Sequence, residues 1–137
     1  MHRVTADSNI YISALNFGGK PLQLLELARA GQIQLAISNA IITETSRILY
    51  TKFHWDPSDI TDAVDQILGF TNYVHPDERI DAVPTDPDDN RVLECAVKAR
   101  SNIIVTGDTD LLTIESFDGI DIMSVSDYFV RLARGGS

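Results

Sequence analysis

Two aspartates follow β-branched segments that are typical of buried strands. Asp7 ends the segment "HRVTAD" at 2–7, and Asp108 follows Gly107 directly after "IIVT" at 103–106. Aspartate is also a favoured N-cap of a following helix, so each residue taken singly fits a capping role. In a parallel sheet, however, the carboxyl ends of the strands meet at the edge where ligands bind. A shared carboxylate site is therefore the second interpretation.

Glu44 is predicted to lie on the apolar face of a helix rather than on its polar side. It comes three positions after Ile41 and four before Ile48 in the helical segment 38–50, and residues at that spacing share one face. An ionised carboxylate facing a core is costly unless a cation or hydrogen bonds compensate it. A capping box or an ion pair with Arg47 would do so, and so would a metal ion.

Asp89 shows the same pattern in the segment 89–100. It precedes Val92 by three residues and Leu93 by four, both on the inward stripe of the predicted helix. The simplest alternative is a first-turn aspartate stabilised by the helix dipole. This register favours Asp89 over its neighbour Asp88 as the inward-facing acid.

Together these four acids predict a site for a divalent cation. Carboxylates crowded at one sheet edge raise one another's pKa and cannot all stay ionised without a compensating charge. Oxygen ligands of this kind suit Mg²⁺ or Mn²⁺. The excess of 20 acidic over 11 basic residues, a net charge of −9, partly reflects such a site.

Strands and helices alternate along the chain, as in a three-layer α/β/α sandwich with a mainly parallel sheet. Residues 1–134 are expected to form a single domain and 135–137 a disordered tail, with 76–90 as a loop. Strands are predicted at 2–7, 33–38, 72–75, 103–106 and 120–124, and helices at 8–16, 21–31, 38–50, 56–70, 89–100 and 126–134, with a brief helical turn after 106.

Composition excludes several classes of protein. Cys95 is the single cysteine, so no intramolecular disulfide can form, and no zinc-type Cys/His cluster occurs. No apolar run is long enough to span a membrane, and no signal sequence is evident. We therefore expect a soluble, cytoplasmic protein. The acidic balance argues against a purely electrostatic nucleic-acid binder.

Three blocks of sequence resemble the signature blocks of PIN-domain ribonucleases, a family that includes VapC-type toxins. These blocks are "TADSNIYISAL", "IITETSRIL" and "DPDDNRVLECAVKARSNIIVTGDTDLL", in the family's order over residues 3 to about 126. The third block is the most specific. The resemblance implies Mg²⁺- or Mn²⁺-dependent hydrolysis of RNA, an antitoxin as partner and a homodimer.

The resemblance also assigns roles to individual residues. It implies four catalytic and metal-binding acids: Asp7, Glu44, Asp89 and Asp108. Glu44 is either a ligand or the group that orients or deprotonates the attacking water. Accessory positions are Asp110, Asn9 and Thr106. The chain has only three lysines, and the candidates for RNA binding are Lys20, Arg47, Lys52 and Arg91.

Rival classes fit the sequence less well. A receiver-type signalling domain needs a lysine near the end of its last strand, and no lysine follows Lys98. A dinucleotide-binding domain needs a glycine-rich turn after the first strand, and "DSNIYISA" contains no glycine. A non-catalytic module that binds RNA or protein with the same fold stays as the alternative, although it would be expected to lose at least one of the four acids.

Overall fold

Alternating strands and helices form one sheet with helices on both faces. A computed structural model describes residues 1–135. Its strands are β1 (Arg3–Ala6), β2 (Gln34–Ser38), β3 (Asn72–Val74), β4 (Ile103–Val105), β5 (Ser116–Phe117) and β6 (Ile120–Met123). Its helices are α1 (Ser8–Phe17), α2 (Gly19–Arg29), α3 (Asn39–Thr51), α4 (Pro57–Leu68), α5 (Pro87–Ala99), α6 (Thr109–Ile114) and α7 (Val125–Ala133).

The sheet has the strand order β3-β2-β1-β4-β6-β5. All neighbouring strands are parallel except β5 and β6, which form an antiparallel pair. The expected three-layer α/β/α sandwich with a mainly parallel sheet is thus confirmed. After β1 the chain builds the sheet in one direction through β2 and β3, and it then returns to place β4 on the other side of β1. The carboxyl ends of β1 and β4 therefore flank the point where the strand order reverses.

The two central strands are buried because their side chains are apolar on both faces. Val4, Ile104 and Val105 have no exposed surface, as expected for strands covered by helices on both sides. Leu93 of α5 and Tyr11 of α1 are also fully buried. This close packing fixes the ends of β1 and β4, and with them the residues that follow.

Several element boundaries differ from those expected from the sequence. Helix α5 begins at Pro87 instead of residue 89, because Asp86 caps it and proline is favoured in a first turn. Helix α2 begins at Gly19, directly after Gly18, whose φ of 72° is left-handed and separates it from α1. The sequence does not predict strand β5, since two residues carry no periodic pattern.

Of the tail expected at 135–137, only Gly135 lies within the described residues, and its amide donates to the Leu132 carbonyl at 2.9 Å. Within residues 1–135 no helix combines the length and apolarity that a bilayer crossing requires.

Candidate active site

Acidic side chains from four parts of the chain meet at the carboxyl edge of the sheet. Carboxylate oxygens of Asp86, Asp89 and Asp108 lie within 4.8 Å of one another. Asp7 and Glu44 line the same cleft, whose volume is about 30 Å³. The structure thus brings together all four acids singled out in the sequence, and it adds two more, Asp86 and Asp88.

Asp7 is held by its position between β1 and α1. Its Oδ1 accepts a hydrogen bond from the Ile10 amide at 3.1 Å, so the residue is the N-cap of α1. Its Oδ2 accepts from the Thr106 hydroxyl at 2.5 Å. Burial raises the pKa of Asp7 to about 6, although these hydrogen bonds oppose the shift. The capping interpretation and the site interpretation therefore both describe this residue.

Asp108 is likewise both a cap and a wall of the cleft. Its Oδ1 accepts from the amides of Asp110 and Leu111 at 2.8 and 3.2 Å, which caps α6. The Asp108 amide donates to the Thr106 hydroxyl oxygen at 2.9 Å. Because the Thr106 hydroxyl also donates to Asp7, it connects the backbone of Asp108 with the side chain of Asp7.

Asp89 is the most perturbed of the acids in the cleft. Only 5% of its surface is exposed, and its Oδ2 has no hydrogen-bond partner within residues 1–135. Burial raises the pKa of Asp89 to about 8, with further contributions from the carboxyls of Asp108, Asp86 and Asp7. A buried carboxylate that lacks a partner and faces other carboxylates is costly in a site made of protein alone.

The residues fit a hard divalent cation at this position. The donors are carboxylate oxygens from several elements, and the orphaned Oδ2 of Asp89 lies among them. Mg²⁺ and Mn²⁺ take oxygen ligands of this kind. A bound cation would supply the positive charge that Asp89 lacks, and it would lower the pKa of the acids around it.

Glu44 lies on the side of the cleft nearer Asp86 and Asp88. Its Oε1 accepts from the Ser8 hydroxyl at 2.8 Å. Burial raises the pKa of Glu44, and the carboxyls of Asp88 and Asp86 raise it further. The alternative of an ion pair with Arg47 is wrong for this structure, since none forms within residues 1–135. Glu44 instead accepts the hydrogen bond from Ser8, and Arg47 is exposed on the same helix.

Asp86 and Ser8 are the site residues that the sequence interpretation missed. Asp86 caps α5, accepting from the Asp88 amide at 3.1 Å. The pair Asp86–Pro87 is an N-cap signal followed by a first-turn proline, so it could have moved the helix start and drawn attention to Asp86. Ser8 offered no comparable signal, because its contact with Glu44 joins residues far apart in the chain.

The accessory candidates differ in position. Thr106 is fully buried and bonds Asp7, as described above. Asn9 is exposed and lies at the lining of the cleft. Asp110 is exposed, lies outside the part of the cleft lining that falls in residues 1–135, and accepts a hydrogen bond from the Thr85 hydroxyl at 3.3 Å.

The basic residues predicted to bind RNA differ in their distance from the cleft and in their contacts. Arg91 lines the cleft, but Glu94 at 2.8 Å and the Ile80 carbonyl at 3.1 Å hold its guanidinium. Lys20 donates to Ser126 of α7 at 3.3 Å and lines neither the cleft nor the groove beside it. Arg47 and Lys52 line that adjoining groove, which shares Asn9 with the cleft.

The fold and site define a class: an α/β/α domain with an acidic cleft at the carboxyl ends of its central strands. The PIN domain family model matches residues 3–110, and the chain belongs to that family. The resemblance inferred from the three sequence blocks is thereby confirmed.

Solved structures share the fold at low sequence identity. VapBC2 from Rickettsia felis, bound to a DNA fragment from its promoter, is 16% identical with a TM-score of 0.61, covering 88% of this chain and 96% of that chain. PAE2754 from Pyrobaculum aerophilum is 19% identical with a TM-score of 0.60, covering 98% of this chain and 90% of the other. No curated protein matches the chain in sequence.

Proposed function

We propose that this PIN domain is a Mg²⁺- or Mn²⁺-dependent endoribonuclease and the toxin of a toxin-antitoxin pair. The observation that carries the proposal is the buried Oδ2 of Asp89, which has no partner within residues 1–135 and lies beside the carboxylates of Asp86 and Asp108. Nuclease activity is general among PIN domains, and the family match supports it here.

Asp7, Asp89 and Asp108 would hold the cation, and Asp86 extends their set. A bound divalent cation makes a neighbouring water more acidic and offsets negative charge on the phosphodiester. Capping hydrogen bonds to Asp7 and Asp108 keep these two carboxylates in place before the substrate arrives. The site is therefore preorganised by the same bonds that begin two helices.

Glu44 is suited to accept a proton from the attacking water. Its raised pKa brings it closer to the range in which a carboxylate acts as a general base. The Ser8 hydroxyl holds Oε1 and so orients the carboxylate in the cleft. The alternative role of Glu44 is that of a metal ligand, and a Glu44→Gln variant distinguishes the two roles.

The partners follow from the same proposal. One of the structures with this fold is that of VapBC2, which supports an antitoxin as a partner here. With three lysines and a net charge of −9, a homodimer would join two weakly basic surfaces into one RNA-binding surface. A cytoplasmic location and a single domain over 1–134 complete the proposal.

A cleavage assay with matched variants tests the proposal. Purified protein is incubated with a mixed single-stranded RNA pool and Mg²⁺ or Mn²⁺, beside EDTA, an Asp89→Asn variant and an Asp62→Asn control on the exposed side of α4. We expect cleavage by the parent and by Asp62→Asn, and none with EDTA or with Asp89→Asn. Cleavage that persists in EDTA would refute the metal-dependent mechanism, and RNA binding without cleavage would support the non-catalytic alternative.

A further inference from the structure

A groove between α1 and α3 begins at the acidic cleft and leads away from it. The two helices pack together, and both start at the carboxyl edge of the sheet. The groove has a volume of about 440 Å³ and shares Asn9 with the cleft. We call it the α1/α3 groove, and its main lining residues are Asn9, Ser13, Phe17, Arg47, Lys52 and Phe53.

The length of the α1/α3 groove can be estimated from the spacing of its lining residues along the helices. Asn9, Ser13 and Phe17 recur every four residues and so follow one face of α1. From Asn9 to Phe17 the helix advances about 12 Å, at ~1.5 Å per residue. Glu44 and Lys52 are separated by the same number of residues along α3 and its C-cap. A stacked strand at ~3.4 Å per nucleotide would cover this distance with about three nucleotides.

The α1/α3 groove carries cations that are available to a ligand. Arg47 and Lys52 are exposed, and neither forms an ion pair within residues 1–135. The cleft itself is lined by six carboxylates, and Arg91 is already bound to Glu94. A polyanion that reaches the cleft therefore finds uncommitted positive charges in the adjoining α1/α3 groove.

An exposed aromatic ring closes the far end of the groove. Phe17 is 75% exposed, and its ring meets that of Phe53 edge-on, with centroids 6.1 Å apart and planes at 73°. Lys52 lies over the Phe53 ring at 5.8 Å. In this arrangement Phe53 contacts the ring of Phe17 at an edge-to-face angle, and most of the surface of Phe17 stays exposed to a planar ligand.

We propose that the α1/α3 groove binds the substrate strand as single-stranded RNA. Arg47 and Lys52 contact its phosphates, and an unpaired base about three nucleotides from the scissile phosphate stacks on Phe17. Cations beside an aromatic platform are the usual means of binding single strands without sequence readout. The polar side chains of Asn9 and Ser13 and the two cations favour RNA over an apolar protein segment. This inference rests on the proposed function and names the binding surface of that same site.

Binding measured separately from cleavage tests the inference. Fluorescence anisotropy with a labelled mixed-sequence single-stranded RNA is recorded in Mg²⁺, using Asp89→Asn as the background so that the probe stays intact. Phe17→Leu keeps an apolar side chain but removes the ring, and Phe17→Tyr keeps the ring. Arg47→Ala removes one groove cation, and Arg134→Ala at the end of α7 is the matched control.

We expect Phe17→Leu to weaken binding by about 5- to 160-fold, the range for loss of one base–aromatic stack, while Phe17→Tyr and Arg134→Ala stay close to the background protein. Arg47→Ala should reduce the steepness of log Kd against log salt by about 0.7, as for one lost phosphate contact with a single strand. Duplex RNA of the same length should bind more weakly and be insensitive to Phe17→Leu.

Equal binding by Phe17→Leu, Arg47→Ala and the background protein would overturn the inference, and so would an absence of RNA binding altogether. Loss of protein association instead of RNA binding in Phe17→Leu would assign the ring to a protein partner and would also overturn it. If RNA binding depends on Phe17 and Arg47 while the parent protein cleaves no RNA, the proposed RNA-binding role of the groove is supported and the proposed nuclease function is refuted. If cleavage depends on Asp89 but not on the groove residues, the nuclease stands without the groove.

Discussion

The hydroxyl of Thr106 donates to Oδ2 of Asp7 at 2.5 Å, although the two residues are 99 positions apart in the chain. Thr106 follows β4 and Asp7 follows β1, and these strands are hydrogen-bonded neighbours. The same hydroxyl oxygen accepts from the Asp108 amide at 2.9 Å. Thr106 therefore fixes the distance between the ends of the two central strands at the acidic cleft.

Thr106→Val nearly preserves the side-chain volume, but it should destabilise the protein and disturb the position of the Asp7 carboxylate. The change removes a donor from the buried carboxylate of Asp7 and an acceptor from the half-buried amide of Asp108, and a buried group left unsatisfied costs about 1–3 kcal/mol. Urea denaturation measures the free energy of unfolding. Thr113→Val is the control, because its hydroxyl is exposed and donates only within its own helix. Equal stability of the two variants would contradict this role of Thr106.

The metal-free protein should lose stability as pH rises from about 4 to about 8. The pKa of Asp89 is raised to about 8 and that of Asp7 to about 6, both above the value of about 3.9 for an unfolded aspartate. Between these limits the folded state binds more protons than the unfolded state, so the free energy of unfolding falls with increasing pH. Above about pH 9 both groups are ionised in the folded state as well, so their effect is complete and the dependence should level off.

Denaturation in EDTA at a series of pH values checks this dependence. Asp89→Asn removes the group with the larger shift, so it should be more stable than the parent at pH 8 and nearly equal to it at pH 4. Millimolar Mg²⁺ or Mn²⁺ should restore stability to the parent at pH 8, by about 2.7 kcal/mol at a hundredfold excess over Kd. A parent protein that becomes more stable with pH in EDTA would contradict the burial of an uncompensated carboxyl at position 89.

Glu44→Gln separates the two roles left open for this residue. If Glu44 accepts the proton from water, the variant should lose about 10²- to 10⁴-fold in kcat and lose the acidic limb of the pH–rate profile. If it is a ligand, the concentration of Mn²⁺ needed for half-maximal activity should rise while kcat at saturation changes less. Single-turnover cleavage against pH and Mn²⁺ measures both. An unchanged rate and an unchanged metal requirement would exclude Glu44 from either role.

Asn90→Ala should loosen the segment that carries Asp86. The Asn90 side chain accepts from the amides of Ala82 and Val83 and donates to the Val83 carbonyl, all within 2.9 Å. Removing these buried bonds should cost about 2–4 kcal/mol, since several groups lose their partners together. Hydrogen exchange of the Ala82 and Val83 amides should accelerate more than the exchange of amides in β4.

The exposed Asn72 offers a control for Asn90, because Asn72→Ala should leave the exchange of the Ala82 and Val83 amides unchanged. If Asn90→Ala accelerates exchange equally throughout the chain, Asn90 acts on global stability instead of on this segment. If it changes neither quantity, the described hydrogen bonds do not hold the segment in place.

Local patterns were sufficient to predict the fold and much of the cleft. Asp89 could be placed because its spacing from Val92 and Leu93 put it on the buried face of α5, and all three are buried in the structure. The helix stripe of α3 that contains Ile41 and Thr45 is likewise buried. The α/β/α class followed from alternation of elements, which depends on the same short-range periodicity. The catalytic role of the acids stays a prediction.

The contacts that short-range patterns could not supply are those between distant segments. Ser8 reaches Glu44 across 36 residues, and no spacing rule relates them. Asp86 lies in the segment 76–90, whose composition predicts a loop, although in the structure it caps α5 and joins the acidic cluster. The sequence also does not predict which basic side chains are free to bind a ligand. Only the structure shows that Arg91 is bound to Glu94, whereas Arg47 forms no ion pair within residues 1–135.

Asp7 and Asp108 stabilise the fold by capping helices, whereas the buried carboxyl of Asp89 lowers the stability of the metal-free protein. This difference has an evolutionary consequence. In a lineage that no longer needs catalysis, selection for stability would favour replacing Asp89 early, because almost any neutral side chain of similar size relieves the local repulsion. The same selection would retain Asp7 and Asp108, or replace them with serine or asparagine, which also cap helices. Relatives that have become inactive should therefore be recognisable by a lost acid at the start of α5 beside preserved capping residues after β1 and β4.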